Sequence, residues 1–353
     1  MRTCKFMAMA WGFALLLAFG QGIPRGDLAP GQPLAAPTAA AAEPSRHGET
    51  SSRAAPAKDA SQERARPAAR PATRKPVRKI VIMTDLEGVA GVRDSEQWCG
   101  PDGRYYDAAQ RLLTLEVNAA IEGFFAGGAT EIVVCDGHGR GALNIELLDS
   151  RAQLERGWPT GWPGPSLAGG GFDAVAWVGQ HAKAGTERAH LAHTQGWNYV
   201  DLSVNGVSIG EFGQFALCAS ELGVRSVFAS GDKAFSEEAK ALVPGIETVW
   251  VKRGTTPGRG DELTAEQYGR RNTAAVHLQP EKVRAMIRAG AERAIRRAQT
   301  EEFGLIPLKP PFERVGRFRP NQAGQPLLVS RESHPSSVIA IMNLPFHPAP
   351  EQK

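Results

Sequence analysis

The stretch Lys79 to Gly91, KIVIMTDLEGVAG, decides the fold. It opens with a short run that is β-branched in its centre (Ile80, Val81, Ile82) and is closed by Gly88, the pattern of a buried parallel strand over Lys79 to Met83 and not of a helix. Ligands of open α/β sheets bind beyond the carboxyl ends of such strands, and this strand delivers two carboxylates there, Asp85 and Glu87. Period-2 alternation sends both to the same side, within reach of one cation or of two neighbouring ones. Acidic residues around a glycine are also ordinary turn formers, so the pair by itself leaves turn and metal site both open.

The same grammar recurs downstream. A helix is predicted from about Tyr106 to Ala126, with an apolar stripe of Leu112, Leu113, Leu115, Ala119, Ile121, Phe124 and Phe125 closed by Gly127-Gly128. A second buried strand, Glu131 to Cys135, follows and ends in DGHG. This β-α-β unit implies parallel strands and a right-handed crossover, which puts both polar tips on one edge of the sheet. Beyond a Pro/Gly-rich loop from Trp158 to Gly171, a third strand over Phe172 to Val178 runs into Gly179-Gln180-His181-Ala182. Then comes the polar segment KAGTERAHLAHT, followed by a hairpin of Trp197 to Val204 and Val207 to Ile209 joined at Asn205-Gly206. Gly210-Glu211-Phe212-Gly213 leads into a helix over Gln214 to Leu222. Further strands are predicted at Val227 to Ala229 and Glu247 to Val251, a long amphipathic helix over Pro280 to Thr300, and short strands near Val315 to Phe318 and Pro326 to Val329. The class is α/β: a Rossmann-like, doubly wound sheet in the first half and a smaller α+β second half.

The flanks are of another kind. Arg2 and Lys5 precede the apolar run MAMAWGFALLLAFG, and small residues follow, which reads as a secretory signal peptide over residues 1–22 with cleavage near Gly20 to Gly22. The implied location is periplasmic or secreted. The run is short for a bilayer span, Cys4 lies ahead of it where no lipoprotein signal needs it, and no later segment is apolar enough to cross a membrane. Residues 23–77 are rich in Ala, Pro, Arg and Ser and nearly lack large apolar side chains, so they read as a disordered linker. The folded domain is expected over residues 78–347. Charge follows the same division. The 353-residue chain has a net charge of +4, but residues 1–20 carry two basic groups and residues 21–78 carry ten basic against five acidic ones, which leaves 79–353 at −3. A mildly acidic body gives no support to nucleic-acid binding. Cys99, Cys135 and Cys218 make an odd number without metal-type spacing, so no disulfide framework is implied.

Asp85, Glu87, His138, His181 and Glu211 thus stand at successive strand tips and at the exit of the hairpin. Each has a plain structural reading: a solvated histidine in a glycine turn, a core histidine after a strand, an acid favoured at a helix start. His190 and His193 share one polar segment, and only one of them need matter. All the plain readings would have to hold together on one sheet edge, however, and imidazoles mixed with carboxylates are the donor set of a borderline cation such as Zn²⁺. Five donors exceed what a single catalytic zinc needs, which favours two metals sharing a carboxylate.

The order MTDLEGVAG, CDGHG, VGQHA, AHT and NGVSIGEFG resembles the bacterial zinc-dependent D-aminopeptidases associated with dipeptide-transport operons, over about Lys79 to Ala294 and including VFASGDKA and VKRG. The resemblance implies two zinc ions held by Asp85, Glu87, His138, His181 and Glu211. It also implies a catalytic histidine at His193 in place of His190, short peptide substrates with D-amino-acid N-termini such as D-Ala-containing cell-wall peptides, and a homo-oligomeric ring such as a decamer with its active sites facing an inner chamber. The export signal, the linker and the region after Glu301 depart from that pattern. Two other readings fit the same residues: a di-metal amidase or esterase acting on a non-peptide substrate, and a non-catalytic, metal-stabilised binding protein of the envelope.

Overall fold

The computed structural model describes residues 76–139, 141–157, 161–320, 322 and 324–351. The signal peptide expected over 1–22 and all but the last two residues of the linker expected over 23–77 lie outside the described residues. In chain order the elements are β1 (Lys79–Thr84), α1 (Ser95–Trp98), α2 (Tyr106–Gly127), β2 (Glu131–Cys135), β3 (Gln153–Glu155), α3 (Pro165–Gly169), β4 (Ala174–Gln180), β5 (Tyr199–Val204), β6 (Val207–Ser208) and α4 (Glu211–Glu221). They continue with β7 (Arg225–Asp232), α5 (Lys233–Leu242), β8 (Glu247–Gly254), α6 (Ala265–Gly269), β9 (Ala275–His277), α7 (Pro280–Thr300), β10 (Phe312–Phe318), β11 (Leu328–His334), α8 (Val338–Met342) and β12 (Ala349–Pro350).

Seven strands form one sheet in the order β3-β2-β1-β4-β7-β8-β9, parallel except for β9. The alternation read in the first strand is real: Ile80 and Ile82 of β1 pack into one buried cluster with α2 and α7, while Val81 and Met83 pack into another with α4 and α5. Helices therefore cover both faces, the requirement for a buried parallel sheet. Strand order reverses between β1 and β4, so the connections after these two strands leave in opposite directions and open a crevice at their carboxyl ends.

A second, antiparallel sheet runs β12-β11-β10-β5-β6. It is assembled from the hairpin that follows β4 and from the C-terminal strands, so the two sheets are interleaved along the chain and β7 and β8 return to the first. The third strand starts at Ala174, two residues beyond the predicted Phe172, because Asp173 turns its carboxylate to accept from the backbone N–H groups of Arg78 and Lys79 at 2.9 and 3.0 Å. Helix α4 begins at Glu211, three residues before the predicted Gln214. The structure also holds α5, which the sequence reading passed over although Asp232 caps it by accepting from Phe235 N–H at 2.7 Å.

The ordered body begins before β1. Val77 is 1% exposed, and its backbone exchanges two hydrogen bonds with the Gln299 side chain of α7, at 3.1 and 3.0 Å. A chain beginning at Pro76 is expected to unfold in urea like one that retains the linker. A chain beginning at Lys79 should be less stable by about 2–3 kcal/mol, the sum of one buried valine and one or two hydrogen bonds.

Candidate active site

The tips of β1, β2 and β4 and the start of α4 meet over the β1/β4 crevice. Asp85 lies at the centre. Its Oδ1 is 3.0 Å from His138 Nδ1, beyond β2, and its Oδ2 is 3.2 Å from His181 Nε2, beyond β4. Glu87 Oε2 also lies 3.0 Å from His138 Nδ1, and Glu211 Oε2 lies 3.5 Å from His181 Nε2. Two groups of donors result, Asp85/Glu87/His138 and His181/His193/Glu211, each close enough to share an ion, and Asp85 presents one oxygen to each. The sequence-derived residues are therefore brought together, and His193 joins them.

The tautomers follow from the outer contacts, since a carbonyl only accepts. His138 Nε2–H donates to Cys99 O at 2.8 Å, His181 Nδ1–H to Ala182 O at 2.9 Å and His193 Nδ1–H to Leu191 O at 2.8 Å. Each ring thus turns its other nitrogen toward carboxylates. Such a carbonyl contact is what fixes a metal-binding histidine. Glu87 Oε2 and His181 Nε2 are buried without a hydrogen-bond partner, a costly arrangement that a cation resolves. The residues fit a pair of divalent ions on these grounds.

The electrostatics carry the same message. Burial lowers the affinity of His138 and His181 for a proton, but the carboxylates of Glu87 and Asp85 around the first, and of Glu211 and Asp85 around the second, outweigh it and hold both imidazoles well above their usual range. Burial alone would raise Asp85 and Glu211, yet His181 above all holds Asp85 well below and Glu211 below the ordinary carboxylate range. The field calls for positive charge at these nitrogens, from protons or from metal. His193 behaves in the opposite way: burial and the neighbouring His181 push it down, so its ring stays neutral.

His193 is held in a fixed place. Its ring stacks on His181 with centroids 3.9 Å apart and leans on Trp197 at 4.4 Å, and its Nε2 points to Glu211 Oε1 at 3.7 Å. His190, three residues earlier, faces away; its Nε2–H donates to Arg93 O at 2.9 Å in a fully buried position.

Two kinds of residue escaped the sequence reading. Gln180 donates to Asp85 Oδ2 at 2.7 Å, and its only sequence signal is its place before His181. Four side chains, three of them buried and His277 half-buried, also fasten consecutive backbone groups of the segment that leads away from Glu87. Glu116 accepts from Ala90 N–H at 2.9 Å, His277 accepts from Gly91 N–H at 3.0 Å, Lys252 donates to Val92 O at 3.2 Å, and His190 binds Arg93 O. Burial raises Glu116 to about 8, lowers Lys252 to about 8 and lowers His277 to about 4. These residues are far apart in sequence and none sits in a motif with a recognisable spacing.

Beside the donors lies a cavity of about 480 Å³, walled on its apolar side by Met83, Trp162, Trp177 and Phe215. It is large enough for a dipeptide-sized ligand and combines an apolar wall with a few convergent polar groups.

The family profile described as D-aminopeptidase matches residues 78–325. A curated D-aminopeptidase of Bacillus subtilis (strain 168) is 26% identical over 193 residues, 54% of this chain and 70% of the relative. Among solved structures, the Zn-dependent D-aminopeptidase DppA from Bacillus subtilis, a self-compartmentalizing protease, shares the fold with a TM-score of 0.58 at 24% identity, over 68% of this chain and 81% of that one.

Gly179 explains why the tips can approach so closely. It has φ +81°, and a Cβ there would stand 2.1 Å from Asp85 O. Its own carbonyl accepts from Gly88 N–H at 2.7 Å, and this bond ties the β1 tip to the β4 tip. Gly179→Ala is expected to cost roughly 3 kcal/mol of stability through backbone strain and displacement of Asp85, measured by denaturant unfolding.

Proposed function

The chain belongs to the D-aminopeptidase family, and from that premise we propose that it is a zinc-dependent aminopeptidase of short peptides with D-amino-acid N-termini, using two ions per chain held by Asp85, Glu87, His138, His181 and Glu211. The observation that supports this reading most is the imidazole nitrogens of His138 and His181 facing Asp85, Glu87 and Glu211 while the opposite nitrogen of each ring is held by a backbone carbonyl. When bound there, such ions supply a nucleophile at neutral pH and polarise the scissile carbonyl.

The chain's own groups do the rest. Asp85, anchored by Gln180 Nε2 and by Leu86 N–H at 2.7 and 2.8 Å, keeps the two donor groups at a fixed separation. His193 takes at Nε2 the proton that the attacking water gives up and hands it to the departing amine, and its ring cannot turn because Leu191 O holds the opposite nitrogen. The apolar wall excludes water from the reacting groups. The Zn-dependence of DppA supports the metal, and its self-compartmentalizing assembly supports a homo-oligomer of this chain, checked by light scattering. The leader at residues 1–22 supports export to the periplasm or beyond.

Elemental analysis of active protein is expected to give about two divalent ions per chain, with chelation abolishing turnover. Asp85→Ala should lose both ions and Glu87→Ala only the one shared with His138; active protein without stoichiometric metal would overturn the reading. His193→Ala should lower kcat by about a hundredfold or more with metal content intact, because its contribution appears in the transition state. Loss of metal in that variant would make His193 a ligand. His190→Ala should reduce stability and leave kcat much closer to wild type.

A further inference from the structure

The apolar wall of the cavity is held from outside the family-matched region. Trp162 packs edge-on against Phe215 with centroids 6.3 Å apart, and Phe215 meets Trp177 at 6.0 Å, so three aromatic rings face the donors across the cavity. Phe215 has a fixed place, one turn into α4 beyond Glu211. Trp162 lies on a loop, and Asn343 holds its backbone. Asn343 Oδ1 accepts from Trp162 N–H at 2.9 Å, Asn343 Nδ2 donates to Trp162 O at 3.1 Å, and the same amide donates to Ile339 O at 2.8 Å. Both polar backbone groups of Trp162 are therefore clamped by a single side chain at the end of α8. Gly161 permits the approach: a Cβ there would sit 2.0 Å from Asn343 Oδ1. Helix α8 is in turn fixed to α4, where Glu221 accepts from Ser337 Oγ at 2.7 Å and from Val338 N–H. One helix thus carries Glu211 and Phe215 into the cavity at its start and anchors the holder of Trp162 at its end.

Asn343 lies beyond residue 325, where the family match stops. We propose that Trp162, positioned by Asn343, is a specificity-determining residue that selects an apolar side chain flanking the scissile bond, so that this chain prefers bulky hydrocarbon side chains to methyl. The inference rests on the proposed peptidase reading. With the amide at the donors, the apolar surface that the described residues offer an adjacent side chain in this cavity is the wall of Trp162, Trp177, Phe215 and Met83. Contacts with such a wall discriminate hydrocarbon groups by about 10- to 200-fold. Trp177 is fully buried in the sheet core, whereas Trp162 is only half-buried and packs against that core.

The test compares wild type, Trp162→Ala, Trp162→Phe and Asn343→Ala on dipeptides carrying D-Ala, D-Leu or D-Phe on either side of the scissile bond. Wild type should favour D-Leu or D-Phe on one side. Trp162→Ala should reduce kcat/KM for those peptides by about tenfold or more relative to D-Ala peptides, through KM, with metal content unchanged. Asn343→Ala should shift selectivity the same way by a smaller factor, and Trp162→Phe should restore most of it. An unchanged selectivity ratio in folded, metal-replete Trp162→Ala, or an equal fall in kcat for every peptide, would overturn the proposal. Calorimetric titration with D-phenylalanine and D-alanine separates the two readings. If wild type turns over no peptide, the peptidase reading fails, yet a preference for D-phenylalanine that Trp162→Ala abolishes still upholds the wall, and its absence overturns it.

Discussion

Imidazole nitrogens crowded by carboxylates are the constraint on which this architecture depends. Asp85, Glu87 and Glu211 crowd around His138 and His181, and the opposite nitrogen of each ring is committed to a backbone carbonyl on the far side. Carboxylates so close repel one another, and the same field that holds both imidazoles above their usual range draws in a divalent cation. A site of this kind costs stability in the protein alone, and the surrounding structure has to hold it.

The holding is visible on both sides of the crevice. On one side, four consecutive backbone groups after Glu87 are each engaged by a side chain from a different part of the chain, so the loop behind the two carboxylates cannot relax away from them. On the other, Glu238 of α5 accepts from Lys183 N–H at 2.9 Å, which secures the segment just beyond His181. Burial raises this carboxyl to about 7. Residues such as Glu116, Lys252 and Glu238 have shifted proton affinities because they fasten backbone in a dry interior. Proximity to the cavity is not the cause, and a perturbed titration alone would misplace the site.

How much of this was legible follows from the range over which each interaction acts. Strand tips are read from local pattern, so Asp85, Glu87, His138, His181 and Glu211 could be assigned a common edge once β1, β2 and β4 were recognised as parallel. The helices Tyr106–Gly127 and Pro280–Thr300 stood out because long apolar stripes are a periodic signal. The choice between His190 and His193 came from resemblance to a family, because spacing cannot tell which of two histidines in one polar segment turns inward. The fastening residues were hidden for a physical reason. Glu116 sits mid-helix, Lys252 mid-strand and His277 on an edge strand, and each acts on a backbone group more than 25 residues away in sequence. The interleaving of the second sheet with the first was equally out of reach, since β5 pairs with β10 across more than 100 residues without a local mark.

The two sheets divide the work in a way that bears on how such a site can change. Donors for metal come from the tips of a parallel sheet buried on both faces, where shifting one backbone displaces Asp85 and with it both donor groups; substitution there is constrained by chemistry and packing together. The wall opposite is built differently. Trp162 stands on a loop and is held by two hydrogen bonds from Asn343, an exposed residue at the end of a five-residue helix packed against the second sheet. Changes in that region alter the width and apolarity of the cavity without touching a donor. A peptidase arranged in this way can keep one hydrolytic centre while the side chain it accepts is set by a part of the fold that contributes nothing to the chemistry.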